Sequence, residues 1–232
     1  MTEAASIRDI FTRNIGTFSP AQQDRLLQSR VTIVGCGGLG GFVLEELART
    51  GIGSIKVSDP DIFAFSNLNR QLFATKKTIG RNKTAAAAKR ISTLHNHTTV
   101  QAVPTSFQDN SNSLLSDTDV VVDCLDTEAS RLELAELCCH KKLPLVHGAV
   151  AQWYGQVGVQ NVGSDLIRRL YGSLQTPEKT VVSVIVCTVA TVASLQVAET
   201  CKLLLGIPSP LCDNWMSIDL QEMSFEITGK TI

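Results

Sequence analysis

Apolar residues in this chain fall into short uncharged runs, separated by stretches with helical spacing. Val31–Val34 is one such run, β-branched throughout, and suits a buried parallel strand. It passes directly into Gly35-Cys36-Gly37-Gly38-Leu39-Gly40 and then into Gly41–Ala48, a good helix pattern. The alternation repeats. Strands are predicted at Ser54–Asp59, Thr98–Val103, Val120–Leu125, Pro144–Val150 and Gly155–Asn161, with helices over Thr84–Leu94 and Glu128–His140. Ser164–Tyr171 predicts a short helix and Thr176-Pro177-Glu178-Lys179 an exposed loop. A charge-free run, Val181–Ala198, then leads into a long apolar helix that Gly206-Ile207-Pro208 stops. Met216–Leu220 and Met223–Thr228 predict a closing hairpin, and Ile7–Leu27 an arm followed by a helix that starts at Ser19-Pro20.

Strands alternating with helices define an α/β protein with a Rossmann-like, mostly parallel sheet flanked by helices. The final hairpin adds a C-terminal antiparallel extension. No repeat, low-complexity segment or linker divides the 232 residues. One domain is therefore expected, with an arm at 1–29, a nucleotide-binding core at 30–150, and a crossover loop, helix and hairpin at 151–232. The run at 181–198 approaches the length of a membrane span. Ser183, Thr188, Thr191, Ser194 and Gln196 interrupt it, which favours a buried core or subunit-interface helix.

The chemistry starts at the glycine run. Strand, glycine turn and helix together are the context that gives a G-x-G-x-x-G spacing meaning. Glycines let a phosphate approach the backbone, and the helix's first amides face it with the positive end of the dipole. Asp59 follows Gly40 by nineteen residues, the distance at which an acid meets a nucleotide's ribose. Asp59-Pro60-Asp61 also suits plain turn chemistry. Arg70 and Lys83 come next; they suit either a solvated surface or the neutralisation of a triphosphate. Asp126 ends a buried strand on the ligand side of such a sheet. It can hold Mg²⁺ on phosphates, share a helix N-cap with Thr127, or do both.

Composition narrows the partners. A net charge of −1 lacks the basic excess of a dedicated nucleic-acid binder. Met1–Ser6 has no basic or apolar signal region, so a cytoplasmic protein is expected. The seven cysteines include no C-x-x-C pair, which disfavours a disulfide framework and a Cys₄ zinc site. His95 and His97 flank a helix end and His140 and His147 are isolated; with no i,i+4 ligand pair, none of the four is assigned a catalytic part.

Taken jointly, Gly35-x-Gly37-Gly38-Leu39-Gly40, Ser58-Asp59-x-Asp61, Ser66-Asn67-Leu68-Asn69-Arg70-Gln71, Gly80-x-x-Lys83 and Asp123-Cys124-Leu125-Asp126 with Arg131 resemble the ThiF/MoeB/HesA family, bacterial relatives of ubiquitin-activating enzymes. The resemblance spans nearly the whole chain, from Arg13-Asn14 to Ser217–Leu220. It implies an ATP-dependent adenylyltransferase acting on the C-terminal glycine carboxylate of a small ubiquitin-like sulfur carrier. The carrier would end in Gly-Gly and belong to a thiamine- or molybdopterin-type pathway. Arg70 and Lys83 would then contact the phosphates, Asp59 the ribose and Asp126 the Mg²⁺, with Asp61 also among the nucleotide-binding residues. Asn67 and Gln71 would complete the polar lining. Arg13 resembles an arginine that reaches into a partner subunit's site, which implies a homodimer; a surface arginine is the other reading. Many members carry zinc-binding C-x-x-C pairs, absent from this chain, so no zinc is expected. Many also carry a crossover-loop cysteine, and 161–180 has none. Cys187, the nearest, falls in an apolar helical run where a thiolate is disfavoured. The resemblance therefore implies handing the adenylate to a separate sulfur donor. Three other readings are kept: a tRNA threonylcarbamoyladenosine dehydratase-like activity, an NAD(P)-dependent oxidoreductase, and a non-catalytic partner subunit.

Overall fold

A computed structural model describes residues 7–172 and 182–228; the loop expected at 176–179 lies outside them. The chain begins with α1 (Ile7–Ile10), a 3₁₀ turn at Thr12–Asn14 and α2 (Pro20–Gln28). Ser19 caps α2 through a reciprocal box with Gln22. Then follow β1 (Arg30–Val34), α3 (Gly38–Thr50), β2 (Ser54–Ser58), α4 (Lys83–Ile91), β3 (Thr99–Val103), α5 (Phe107–Leu114) and β4 (Val120–Asp123). The second half contains α6 (Glu128–Lys141), β5 (Leu145–Ala151), β6 (Tyr154–Gln160), α7 (Leu166–Tyr171), α8 (Val186–Leu205), β7 (Trp215–Asp219) and β8 (Ser224–Thr228).

The strands form one sheet in the order β3-β2-β1-β4-β5-β6-β7-β8. Pairing is parallel from β3 through β5 and antiparallel from β5 through β8. The central strands β1 and β4 are buried along nearly their whole length because both faces are covered. Ile33 and Val122 join the core under α3, α4 and α8, whereas Val34 and Val121 join the core under α5, α6 and α7. Strand order reverses at β1, which lies between β2 and β4. The C-terminal ends of these three strands therefore open onto a crevice, the usual ligand position in a doubly wound sheet.

Three expectations change. Helix α3 starts at Gly38, three residues before the expected start, so the glycine run itself forms its first turn. Helix α5 is unexpected, because its sequence FQDNSNSL is rich in residues that prefer turns. Phe107 and Leu114 bury themselves against the sheet, and that packing overrides local preference. The described part of the apolar run, from Val182, becomes helical only at Val186, since Ile185 is extended and the Gln152 N–H donates to the Ser183 carbonyl at 2.7 Å. The helix ends as expected, at Gly206 in the left-handed conformation. Although α8 has the length and composition of a membrane span, it packs on α3, β5 and β6 and buries Thr188, Gln196 and Glu199. Those polar contacts fit the core-helix reading.

Candidate nucleotide site

The crevice is a cleft of about 1210 Å³. One wall is the glycine turn, whose geometry demands glycine at two positions. Gly35 has φ +97, and a Cβ there would stand 2.4 Å from the Cys124 carbonyl oxygen. At Gly40 a Cβ would lie 1.9 Å from the Gly35 carbonyl oxygen, so this residue sets how closely α3 packs on the turn. Gly37, Gly38 and Leu39 line the cleft. Gly37 caps α3 without any side-chain bond, which leaves the first-turn amides and the helix dipole directed at a ligand.

Asp59 stands just past β2 and is buried. Its Oδ2 accepts the Cys36 N–H at 2.7 Å, and its Oδ1 accepts the Asp61 N–H at 2.9 Å. One carboxylate thus joins the glycine turn to the turn after β2. Lys83 opens α4 and is also buried, with Nζ 2.8 Å from Asp61 Oδ2 and 3.9 Å from Asp59 Oδ2. Arg70 is half-buried, and its Nη1 donates to the Ser66 carbonyl and to Asn69 Oδ1, both at 2.9 Å. Gln71 is buried against the cleft with an Oε1 that has no partner. An orphaned acceptor in such a place fits a ligand donor.

Asp126 faces the cleft from beyond β4 and is exposed. The cap of α6 is Thr127 alone, whose hydroxyl accepts the Ser130 N–H at 3.3 Å. Among the described residues no group of three His, Cys, Asp or Glu could hold a metal. A single carboxylate beside a phosphate cradle nevertheless suits Mg²⁺, which takes one or two protein carboxylates together with substrate phosphates.

The cleft brings together Gly35, Gly37, Gly38, Leu39, Asp59, Asp61, Arg70, Gln71, Lys83 and Asp126. It does not include Gly40, Asn67 or Arg13. Asn67 turns inward to its own loop, where its Oδ1 accepts the Ala64 N–H at 2.9 Å. Arg13 is exposed on the arm's 3₁₀ turn. Phe11 and Asn14 anchor that turn to the C-terminal end of α3. Phe11 is buried against Gly51 and His95, and Asn14 Nδ2 donates to the Thr50 carbonyl at 3.1 Å.

Cys187 departs from expectation: it is exposed on the first turn of α8, on the side away from Thr188 and Val189, with which the buried face of the helix begins. Cys36 and Cys124, by contrast, are buried around the glycine turn, and desolvation pushes both thiols up.

Sequence reasoning missed a buried polar cluster beside Asp126, built from Asp123, Arg131, His147 and Tyr171. His147 Nδ1 donates to Asp123 Oδ2 at 2.7 Å, and Arg131 Nη2 donates to the Leu125 carbonyl at 2.7 Å. Burial lowers the His147 pKa, against the opposing pull of Asp123. The signal available was a charged or polar residue inside each of two apolar strand runs, VVVD and PLVHG.

A parallel sheet with a glycine turn at its switch point, basic groups beside it and a free acid opposite defines a nucleotide-binding α/β protein. The model of the ThiF family matches residues 11–230, and the chain belongs to that family; it is a nucleotidyltransferase. It is 32% identical over 225 residues to the SAMP-activating enzyme E1 of Haloferax volcanii, covering 94% of this chain and 83% of that one. It is also 32% identical over 222 residues to the sulfur carrier protein adenylyltransferase of Thermus thermophilus, covering 89% and 80%. Among solved structures, Escherichia coli MccB superposes with a TM-score of 0.85 at 20% identity, covering 97% of this chain and 70% of that one. That likeness concerns the fold.

Proposed function

We propose that this protein adenylates the C-terminal glycine carboxylate of a small ubiquitin-like sulfur carrier. A carboxylate oxygen attacks the α-phosphorus of ATP, an acyl–O–P bond forms, and the bond to the β-phosphate oxygen breaks to release pyrophosphate. Two anions must meet, so the site has to neutralise the phosphates before the attack. Arg70 and Lys83 supply fixed positive charge, the α3 amides hold phosphate oxygens, and Asp126 would hold Mg²⁺, which supplies further charge neutralisation when bound. Asp59 offers an acceptor to the ribose, and Gln71, beside Gly37, completes the polar lining with an orphaned oxygen.

The observation that carries this reading is the convergence of Arg70, Lys83 and Asp126 on the glycine turn in one cleft. An oxidoreductase binding a dinucleotide has no use for that set of charges. The name of the Thermus relative supports the choice of a carrier protein as substrate. The active unit is a homodimer in which Arg13 acts on the partner's cleft, as its exposed position away from its own cleft allows. Residues 1–232 act as one cytoplasmic adenylation domain without zinc, and a separate donor delivers the sulfur. Incubation with a carrier ending in Gly-Gly tests the reaction: label from the α-phosphate of ATP should appear on the carrier and γ-label should leave as pyrophosphate. Transfer of γ-label to the carrier would refute it.

A further inference from the structure

The buried cluster beside the cleft closes on itself. A carboxylate can only accept, so His147 Nδ1 carries the proton in its 2.7 Å bond to Asp123 Oδ2. Nε2 is then an acceptor, and it takes the Tyr171 hydroxyl hydrogen at 3.0 Å. The Tyr171 oxygen accepts Arg131 Nη1 at 3.3 Å, and Arg131 Nη2 donates to the Leu125 carbonyl at 2.7 Å. The Leu125 N–H returns to Asp123 Oδ1 at 2.9 Å. These hydrogen bonds close the loop, while Arg131 Nε stands 3.8 Å from Asp123 Oδ2 without a hydrogen bond, and one carboxylate and one guanidinium balance their charges. Asp123 and His147 are fully buried, and Arg131 and Tyr171 nearly so.

The loop joins β4, β5, α6 and α7 and closes through one residue, Leu125, whose N–H and C=O belong to the two successive peptide units before Asp126. Leu125 precedes Asp126, and both of its backbone polar groups are held by side chains from this loop. No hydrogen bond or ion pair within the described residues holds the Asp126 carboxylate itself. Its direction therefore depends on the backbone behind it.

We propose that Asp123, Arg131, His147 and Tyr171 are positioning residues that fix the backbone of Leu125 on both sides and so aim the Asp126 carboxylate into the cleft. The assignment rests on the reading of Asp126 as the group that holds Mg²⁺ on the nucleotide. Helix α7, which has no residue at the glycine turn, thereby acts on the phosphate end of the site through the Tyr171 hydroxyl.

Tyr171→Phe removes that hydroxyl and keeps the ring that packs beside His147 and Arg131. The amide exchange rate of Leu125, followed by NMR, should rise about tenfold, the equivalent of one buried hydrogen bond. Binding of α,β-methylene ATP should weaken about tenfold in Mg²⁺ and stay unchanged in EDTA, a split that general loosening of the fold would not give. Arg131→Lys should show the same split, and the double variant should be no worse than Arg131→Lys alone, because both changes open one loop. Wild-type exchange at Leu125 in Tyr171→Phe, or equal weakening with and without Mg²⁺, overturns the assignment. If the unaltered protein binds no nucleotide, the adenylation reading fails and this one falls with it. Normal binding by the unaltered protein and an indistinguishable Tyr171→Phe chain overturn this one alone.

Discussion

Two acids stand past the ends of the strands that flank β1, and they are treated in opposite ways. Asp59, after β2, is buried and accepts two backbone N–H groups, with Lys83 close by. Asp126, after β4, is exposed in the cleft, and its side chain has no hydrogen bond or ion pair within the described residues. The first carboxylate holds the glycine turn in shape. The second is held in place from behind, through the backbone of Leu125, and is left free for something outside the chain. Equivalent positions in one sheet can thus carry a structural anion and a reactive one, and burial with hydrogen bonding distinguishes them.

That contrast can be broken by mutation. Asp126→Ala should lower carrier adenylation by ~10²–10³-fold, as loss of a charge-stabilising group does, and leave stability within ~0.5 kcal/mol. Asp59→Ala should behave differently, with a stability loss of about 2–3 kcal/mol from two stranded N–H groups, measured by urea unfolding. Equal destabilisation by the two substitutions would erase the distinction.

Acid should expose the scaffold behind Asp126. Burial lowers the His147 pKa below its ordinary 6.5, so the unfolded chain binds a proton at pH values where the folded chain does not. Stability is full above pH 6.5 and falls as the pH drops, with a slope that cannot exceed about 1.4 kcal/mol per pH unit from this group. His147→Gln should flatten that part of the profile in unfolding measurements made between neutral and mildly acidic pH. An unchanged slope would show that the histidine does not carry the effect. The smallest effect belongs to Thr127→Ala, which removes the α6 cap and should cost about 1 kcal/mol by the same unfolding assay.

Much of one side of the cleft was legible from local sequence. The glycine turn, Asp59 and Asp126 fall at spacings set by the strand–turn–helix unit and by strand ends, whereas Arg70 and Lys83 are assigned through the family resemblance of Ser66–Gln71 and Gly80-x-x-Lys83. The sheet also followed from uncharged β-branched runs such as Val31–Val34 and Val120–Val122. The other side was not legible, for a physical reason. Asp123, His147 and Tyr171 lie far apart in sequence and meet only when β4, β5 and α7 pack, so no window of the chain contains their relation. Helix α5 was missed because the burial of Phe107 and Leu114 comes from the sheet rather than from its own turn-prone residues. Cys187 looked buried because its neighbours are apolar, and only the direction in which α8 packs shows which of them face inward.

The most direct test of the central claim is ATP–pyrophosphate exchange by the purified protein, with and without a carrier ending in Gly-Gly. Exchange that requires the carrier and disappears in Arg70→Ala and Asp126→Ala is the predicted result. Measurable ATP binding without exchange on any such carrier would contradict it and identify the chain as a non-catalytic partner subunit.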